Sequence, residues 1–225
     1  MDQTVVLSAP LFAGMDDAEV QALYATMTPI DMARGDILFH EGDPGTTLYV
    51  IARGKIKLGT RASDGRENLL AVLGEGEMIG ELCLFDPGPR TATASAVVES
   101  VIYELGHDAM VEWINEHPAV ATHLLAALAH RLRRTNEALA DLVFSDVPGR
   151  VAKALLDLSD RFGEPSEHGV RVAHDLTQEE LAQLVGASRE TVNKALADFA
   201  ARGWVHREGR AIVLLDIDRL QRRAR

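Results

Sequence analysis

The sequence predicts an α+β chain of three successive zones, and three observations carry that prediction. Residues 30–105 hold short apolar runs (ILF, TLYVIA, KIKLGT, NLLAVL, CLF, TASAVV and SVIYEL) separated by Gly- and Asp-bearing turns at roughly ten-residue spacing. Residues 119–147 contain neither Gly nor Pro. Residues 148–225 return to short helical patterns and close on two apolar stretches, GWVHRE and RAIVLLD.

The first zone, after a short amphipathic start from Asp16 to Met27, reads as an antiparallel β-sandwich or roll. Its turns are EGDPG at 41–45, ARG at 52–54, SDG at 63–65 and GEG at 74–76. No helical crossover fits between the runs, which argues against a parallel sheet. In the second zone Pro118 suits a first helical turn, where its missing N–H removes no bond. A helix of that length spans roughly 40 Å, more than a small domain needs for its own core. Leu125, Leu128, Leu132, Thr135, Leu139 and Leu142 alternate at three and four residues, the a/d pattern of a coiled-coil seam. A homodimer seam fits this length better than a helix lying on the β-zone, though both place leucines on one face. Thr135 is the polar member of the seam, and a buried hydroxyl needs a partner.

Pro148 disfavours helical geometry at Val147, so the long helix should break near Ser145–Val147. VAKALLDLSDRF then reads as a helix and GEPSEHG as a loop. In LTQEELAQLVGASRETVNKALADFAARG, Thr177 and Glu180 form a capping box, with Leu181, Leu184 and Val185 on the apolar face. Gly186 can supply the left-handed turn that ends this helix, and Ser188 caps a second one whose Val192, Leu196 and Phe199 face inward. Two helices joined by a tight glycine turn make a helix-turn-helix, and the hairpin joined by Glu208-Gly209-Arg210 makes it a winged one.

Composition narrows the chemistry. At 225 residues and 24.5 kDa the chain has room for one large domain or two small ones. Its 47% hydrophobic and 25% charged residues suit a packed soluble protein. No apolar run approaches the ~18 residues that cross a bilayer. The start, MDQTVVLSAPLF, lacks a basic region before a long apolar stretch, so a cytoplasmic protein without membrane association is expected. A single cysteine, Cys83, excludes an internal disulfide framework and a Cys-rich zinc or iron–sulfur site. It sits among apolar neighbours and reads as a small core residue rather than a redox sensor. The eight histidines show no HxH or HExxH spacing, so no metal is expected. Net charge is −11, yet residues 147–225 carry 13 Lys+Arg against 12 Asp+Glu while residues 1–146 carry 10 against 22. An acidic front and a balanced, arginine-rich back suggest modules with different partners.

The polar residues Ser188, Arg189, Glu190, Thr191, Asn193 and Lys194 crowd the start of the second helix, the end that enters the major groove in this motif. Arg189 can donate bidentately to guanine and Glu190 can accept from cytosine, while Lys194, Arg207 and Arg210 can neutralise phosphates. The bland alternative is a solvated charged helix face. In the first zone, IGELCLFDPGPRTATASA places Gly80 and Glu81 before a loop and Arg90-Thr91 after it. Arginine suits bidentate phosphate binding, the threonine hydroxyl and backbone N–H groups add donors, and a carboxylate can accept from a sugar hydroxyl. Residue types alone favour, slightly, an internal Glu81–Arg90 ion pair.

Together these strings resemble the cyclic AMP receptor protein/FNR superfamily of bacterial transcription regulators over nearly the whole chain. GELCLFDPGPRTATA is similar to the family's phosphate-binding cassette, HRLRRTNEALADL to its dimer helix and VGASRETVNKAL to its recognition helix. DPGPRT, RRTN and SRETVNKAL together most resemble the actinobacterial branch. The resemblance implies a cyclic-nucleotide-binding β-roll domain over 1–117, a dimerisation helix over 118–145 and a winged helix-turn-helix DNA-binding domain over 146–225. It implies that Arg90 and Thr91 hold a cyclic phosphate and that Gly80 and Glu81 hold the ribose. Thr135 would hydrogen-bond the adenine of its own subunit, and Asn136 would approach the partner's nucleotide. The best-known enteric member has serine at Asn136 and arginine at Lys194, and lysine lacks the bidentate fork. A single cysteine excludes the iron–sulfur branch, and the Glu81, Arg90, Thr91 set argues against haem sensing.

The function so implied is a homodimeric regulator that binds cyclic AMP as an allosteric effector and double-stranded DNA at a TGTGA-like half-site, with RNA polymerase as a further partner. A constitutive DNA-binding regulator of the same fold is the alternative. A cyclic-nucleotide-gated enzyme is disfavoured, because residues 148–225 hold no nucleophile elbow and no Walker-type glycine loop; catalytic residues are not expected.

Overall fold

The computed structural model describes residues 5–7, 9, 12, 15–62, 65–86 and 88–224. Ser63 and Asp64 of the SDG turn, Pro87 of the cassette and most of MDQTVVLSAPLF lie outside them. The chain divides into two compact units, residues 1–60 with 70–133 and residues 61–69 with 134–225.

The first unit begins with α1 (Asp17–Thr26), opened by a capping box in which Asp16 accepts from the backbone and Glu19 reaches back. Strands β1 (Thr28–Met32), β2 (Ile37–Phe39), β3 (Thr47–Arg53), β4 (Ile56–Arg61), β5 (Glu67–Leu73), β6 (Met78–Ile79), β7 (Thr93–Ala96) and β8 (Ser100–Gly106) form two sheets. Their orders are β1-β8-β3-β6 and β2-β7-β4-β5. β1 with β8, β8 with β3, and β7 with β4 pair antiparallel, as the turn-separated apolar runs require. The two-residue period of β3 distributes its side chains. Leu48, Val50 and Ala52 join a core with Val20, Leu23, Leu105 and Met110. Tyr49 and Ile51 join a second core with Ile56, Leu58, Ala94, Ala96 and Ile102.

The CLF run, grouped with the strand-like stretches, belongs instead to one helical turn, α2 (Leu82–Phe85). Three apolar residues cannot distinguish a strand from a helical turn by period. After β8 comes α3 (His107–Glu116), then α4 (Pro118–Phe144). Val120 and Leu124 on α4 are buried in the core with Met110, so the start of the helix does lie on the β-roll. Further along, Leu125, Leu132, Leu139 and Leu142 are more than half exposed, and Leu128 is half-buried. The first turns of the helix thus pack on the roll, and the later turns leave their leucines in solvent.

The second unit begins within α4. α5 (Val147–Phe162) is capped by Asp146, which accepts from Gly149 N at 2.9 Å. The break falls where expected, but Val147 is the first helical residue and Pro148 sits within the first turn, where its ring is tolerated. GEPSEHG is not a loop: β9 (Gly163–Ser166) and β10 (Gly169–Val172) form a hairpin. β10 then pairs with the wing, giving a sheet of order β11-β12-β10-β9 from β11 (Val205–Glu208) and β12 (Ala211–Leu214). Between them lie α6 (Gln178–Val185) and α7 (Arg189–Ala201), and α8 (Ile217–Arg223) closes the chain. Leu155, Leu181, Val192, Leu196, Phe199, Leu214 and Leu220 meet in one core.

Candidate functional site

In the first unit Arg90 and Glu81 are both 4% exposed, which is rare for charged residues. Arg90 Nη2 donates to the Thr47 carbonyl at 2.8 Å, and its guanidinium carbon lies 4.3 Å from the Phe39 ring centre and 5.5 Å from that of Tyr49. Nε has no partner. Backbone bonds hold the segment from both sides: Arg90 N donates to Asp43 O at 2.7 Å and Gly42 N to Arg90 O at 2.8 Å.

Glu81 is at the start of α2 but spends no side-chain oxygen on capping it. Its Oε1 accepts from Arg131 Nη1 on α4, and its buried Oε2 has no partner among the described residues. The internal Glu81–Arg90 pair favoured by residue type is therefore replaced by a Glu81–Arg131 pair, fifty residues apart in sequence. Gly80 has φ +87°, and a Cβ there would stand 2.7 Å from the Thr47 carbonyl and against Arg90 Nη1. Only glycine fits this approach. Cys83 is buried, with Sγ 3.6 Å from the Gly88 carbonyl and packed against Gly45.

Gly80, Glu81 and Arg90 are thus gathered within one unit, and Thr91 follows Arg90 with its side chain exposed. Thr135 and Asn136 are exposed on α4 and belong to the second unit. Among the described residues no group of three or more His, Cys, Asp or Glu could hold a metal. No helix there is long and apolar enough to cross a membrane.

In the second unit both halves of the Thr177–Glu180 capping box form, at 3.1 and 2.7 Å. Gly186 ends α6 at φ +68°, and Ser188 caps α7 by accepting from Thr191 N at 3.2 Å. Val192, Leu196 and Phe199 face the core. Ser188, Arg189, Glu190, Thr191 and Lys194 are exposed, and Asn193 is half-buried. Arg207 and Arg210 are exposed on the wing. Sequence spacing alone thus located a helix end that offers its polar residues to solvent on a rigid support.

Two family descriptions match the chain: "Cyclic nucleotide-binding domain" over residues 29–117 and "Crp-like helix-turn-helix domain" over 149–223. The "CRP-like cAMP-activated global transcriptional regulator" of Mycobacterium tuberculosis is 53% identical over 225 residues, covering 100% of both chains. The chain belongs to the cyclic AMP receptor protein/FNR family.

The "Cyclic AMP receptor protein" of Thermus thermophilus is a 36% identical member over 88% of each chain. The solved catabolite activator protein of that organism matches at TM-score 0.56 and 34% identity, over 96% of this chain and 98% of its own. A regulator from Xanthomonas campestris described as c-di-GMP-responsive matches at TM-score 0.76 and 26% identity, over 88% and 99%. As a cyclic AMP receptor protein/FNR family member, the chain is a DNA-binding transcription regulator with a cyclic-nucleotide-binding domain, and not an enzyme.

Sequence reasoning missed Arg131, Phe39 and Tyr49 around Arg90 and Glu81. Arg131 lies four residues before Thr135, hence on the same helix face, and that spacing was a usable signal. The aromatic pair reaches Arg90 from β2 and β3, and no local pattern announces it. Gln178 was missed as well: it is the first residue of α6, and its Oε1 lies 3.0 Å from Asn193 Nδ2.

Proposed function

We propose that this family member is a homodimeric regulator whose roll binds cyclic AMP and whose α7 reads a pseudo-palindromic operator. The observation that carries the ligand reading is the pair of buried atoms left without a partner among the described residues, Arg90 Nε and Glu81 Oε2, with the Arg90 guanidinium packed against Gly80. Buried polar atoms normally find partners. A donor and an acceptor left open within one unit fit a ligand that carries an anionic phosphate and a sugar hydroxyl. In this reading Arg90 and Thr91 take the phosphate, and Gly80 and Glu81 take the ribose. Thr135 contacts the base, and Asn136 faces the nucleotide of the partner. Cyclic AMP is favoured over other cyclic nucleotides because the 53% identical relative is described as cAMP-activated.

The exposed leucines of α4 support a dimer seam. Four more-than-half-exposed leucines on a helix whose first turns alone join a core are a poor surface for a monomer. The functional division we adopt is 1–117 for the sensor, 118–145 for the dimer helix and 146–225 for the DNA reader. A two-fold dimer sets the two recognition helices roughly 34 Å apart, one turn of DNA. Ser188, Arg189, Glu190, Thr191, Asn193 and Lys194 form the reading surface. A cytoplasmic location and contact with RNA polymerase follow from the regulator's role.

Ligand control requires that cyclic AMP bind the DNA-competent arrangement more tightly, and the coupling is then reciprocal. The deciding experiment is binding to a TGTGA-type palindromic duplex at fixed salt, with and without cyclic AMP. Tighter binding with the nucleotide is expected. Equal binding in both conditions would make the chain a constitutive regulator, and a response to cyclic di-GMP alone would reassign the effector.

A further inference from the structure

One side-chain oxygen at the helix-turn-helix collects donors from two residues of the reading surface. Gln178 Oε1 lies 3.0 Å from Asn193 Nδ2 and 3.3 and 3.4 Å from Arg189 Nη2 and Nε. Gln178 is the first residue of α6, next to the Thr177 cap, so the capping box fixes its backbone. Asn193 is half-buried on α7 and leaves its Oδ1 buried and unpartnered while its amide nitrogen serves Gln178. Two donor groups facing the Gln178 amide select its orientation, because the opposite orientation would set an NH2 against N–H donors.

Arg189 carries five N–H donors in a fixed fork. Gln178 engages one on Nε and one on Nη2. The pair on Nη1 and the second on Nη2 remain, and one from each nitrogen forms the end-on edge of the guanidinium. That edge suffices for bidentate pairing with guanine O6 and N7. An arginine stem tethered in advance also loses less rotamer freedom when DNA arrives.

We propose that Gln178 is a positioning residue for base reading: it holds Arg189, with Asn193 fixing its own amide, so that the end-on edge of the guanidinium is presented to a guanine. The proposal rests on the reading of Arg189 as a base contact. Gln178 itself touches no base in this scheme, and its effect passes through Arg189.

The test compares the full-length protein on a TGTGA-type palindrome and on a scrambled duplex, with cyclic AMP present, across a salt series. Gln178→Ala is expected to lower the operator-to-scrambled affinity ratio roughly three- to tenfold, less than complete loss of the reading arginine. Gln178→Glu keeps an acceptor at the same place. It should lower affinity for both duplexes, through its charge, while keeping the ratio. In an Arg189→Ala background, Gln178→Ala should change the ratio no further. A uniform loss on both duplexes with an unchanged salt slope would make Gln178 an uncharged phosphate contact and overturn the proposal. An unchanged ratio in Gln178→Ala, or a ratio lost equally in Gln178→Glu, would also overturn it. Should Gln178→Ala melt early, the Glu variant and the double variant still decide. If Arg189→Ala alone loses equally on both duplexes, the base-reading assignment itself fails, which is a separate outcome.

Discussion

The sensor unit and the DNA-reading unit prepare their sites in opposite ways. In the roll, Arg90 and Glu81 are withdrawn from solvent and each keeps a buried polar atom unpartnered. In the C-terminal unit the helix starts are closed by their own side chains, from Asp146, Thr177, Ser188 and Asp216, and most of the reading residues are exposed. Burying a charged group without full pairing disfavours the ligand-free fold, and a ligand that completes the pairing removes that penalty. A surface site on capped helices carries no such penalty and gains affinity only from what it touches. The difference suits the two proposed tasks: one site would respond to the presence of a molecule, and the other would read a surface always on offer.

The strongest test of this contrast is at Arg90. Arg90→Ala should remove about 2–5 kcal/mol of cyclic nucleotide binding, the range for truncating one side of a buried charged contact. Titration calorimetry measures it, and unchanged affinity would sink the pocket assignment. Arg90→Met sharpens the point. It should weaken binding as Arg90→Ala does yet leave the melting temperature of the ligand-free chain equal or higher, since an apolar replacement no longer buries an incompletely paired charge.

Next in size is Arg189→Ala, expected to cost about 1–3 kcal/mol on operator DNA and little on random sequence. Equal losses would class it as a phosphate contact. The scaffold beneath it is tested by Gly186→Ala. Gly186 sits at φ +68°, with Leu142 Cδ2 2.9 Å from the position of an added Cβ. Forcing an L-residue there costs about 1–2 kcal/mol, read as a lower melting temperature. Ser188→Ala removes the α7 cap and should cost about 1 kcal/mol by the same measurement.

The smallest expected effect is on pH dependence. The Arg223 guanidinium and the Gly149 N–H hold the Asp146 carboxyl below the usual carboxylate range. Its folded-state pKa is thus lower than its unfolded value, about 3.9. The stabilisation is therefore present above that pH and fades as pH falls through the folded pKa. The exposure of Asp146 keeps the effect small. Asp146→Asn can still cap the helix but lacks the charge, so its stability should fall less steeply than the parent's below about pH 4. Parallel curves from thermal melts would remove the assignment.

Legibility in the sequence followed the same divide. The DNA reader announced itself through local signals: Thr177 with Glu180, Gly186, then Ser188, each acting within four residues. Local chemistry is readable because the partners are sequence neighbours. The roll was legible as a class through its turns, and its cassette through Gly80, Glu81 and Arg90. The identity of their partners was not, because Arg131, Thr47, Phe39 and Tyr49 arrive from other elements. Residue type suggested that Glu81 and Arg90 neutralise each other, whereas tertiary structure gave Glu81 a different cation. The hairpin in GEPSEHG escaped for a related reason. Its strands are short and polar, and pairing of β10 with β12 is what makes them a sheet.

The bond between Arg223 and Asp146 has a topological consequence. Arg223 Nη2 lies 2.7 and 2.6 Å from the two carboxylate oxygens of Asp146, so the last turn of the chain is fastened to the residue that opens α5. The start of α5 and the end of α8 are therefore neighbours, and the stretch between them has adjacent ends. Domains with adjacent ends accept circular permutation and can be inserted into a host loop with little distortion. Joining residue 223 to residue 146 through a short linker, and opening the chain at Gly209 on the exposed wing turn, should yield a permuted module that still folds.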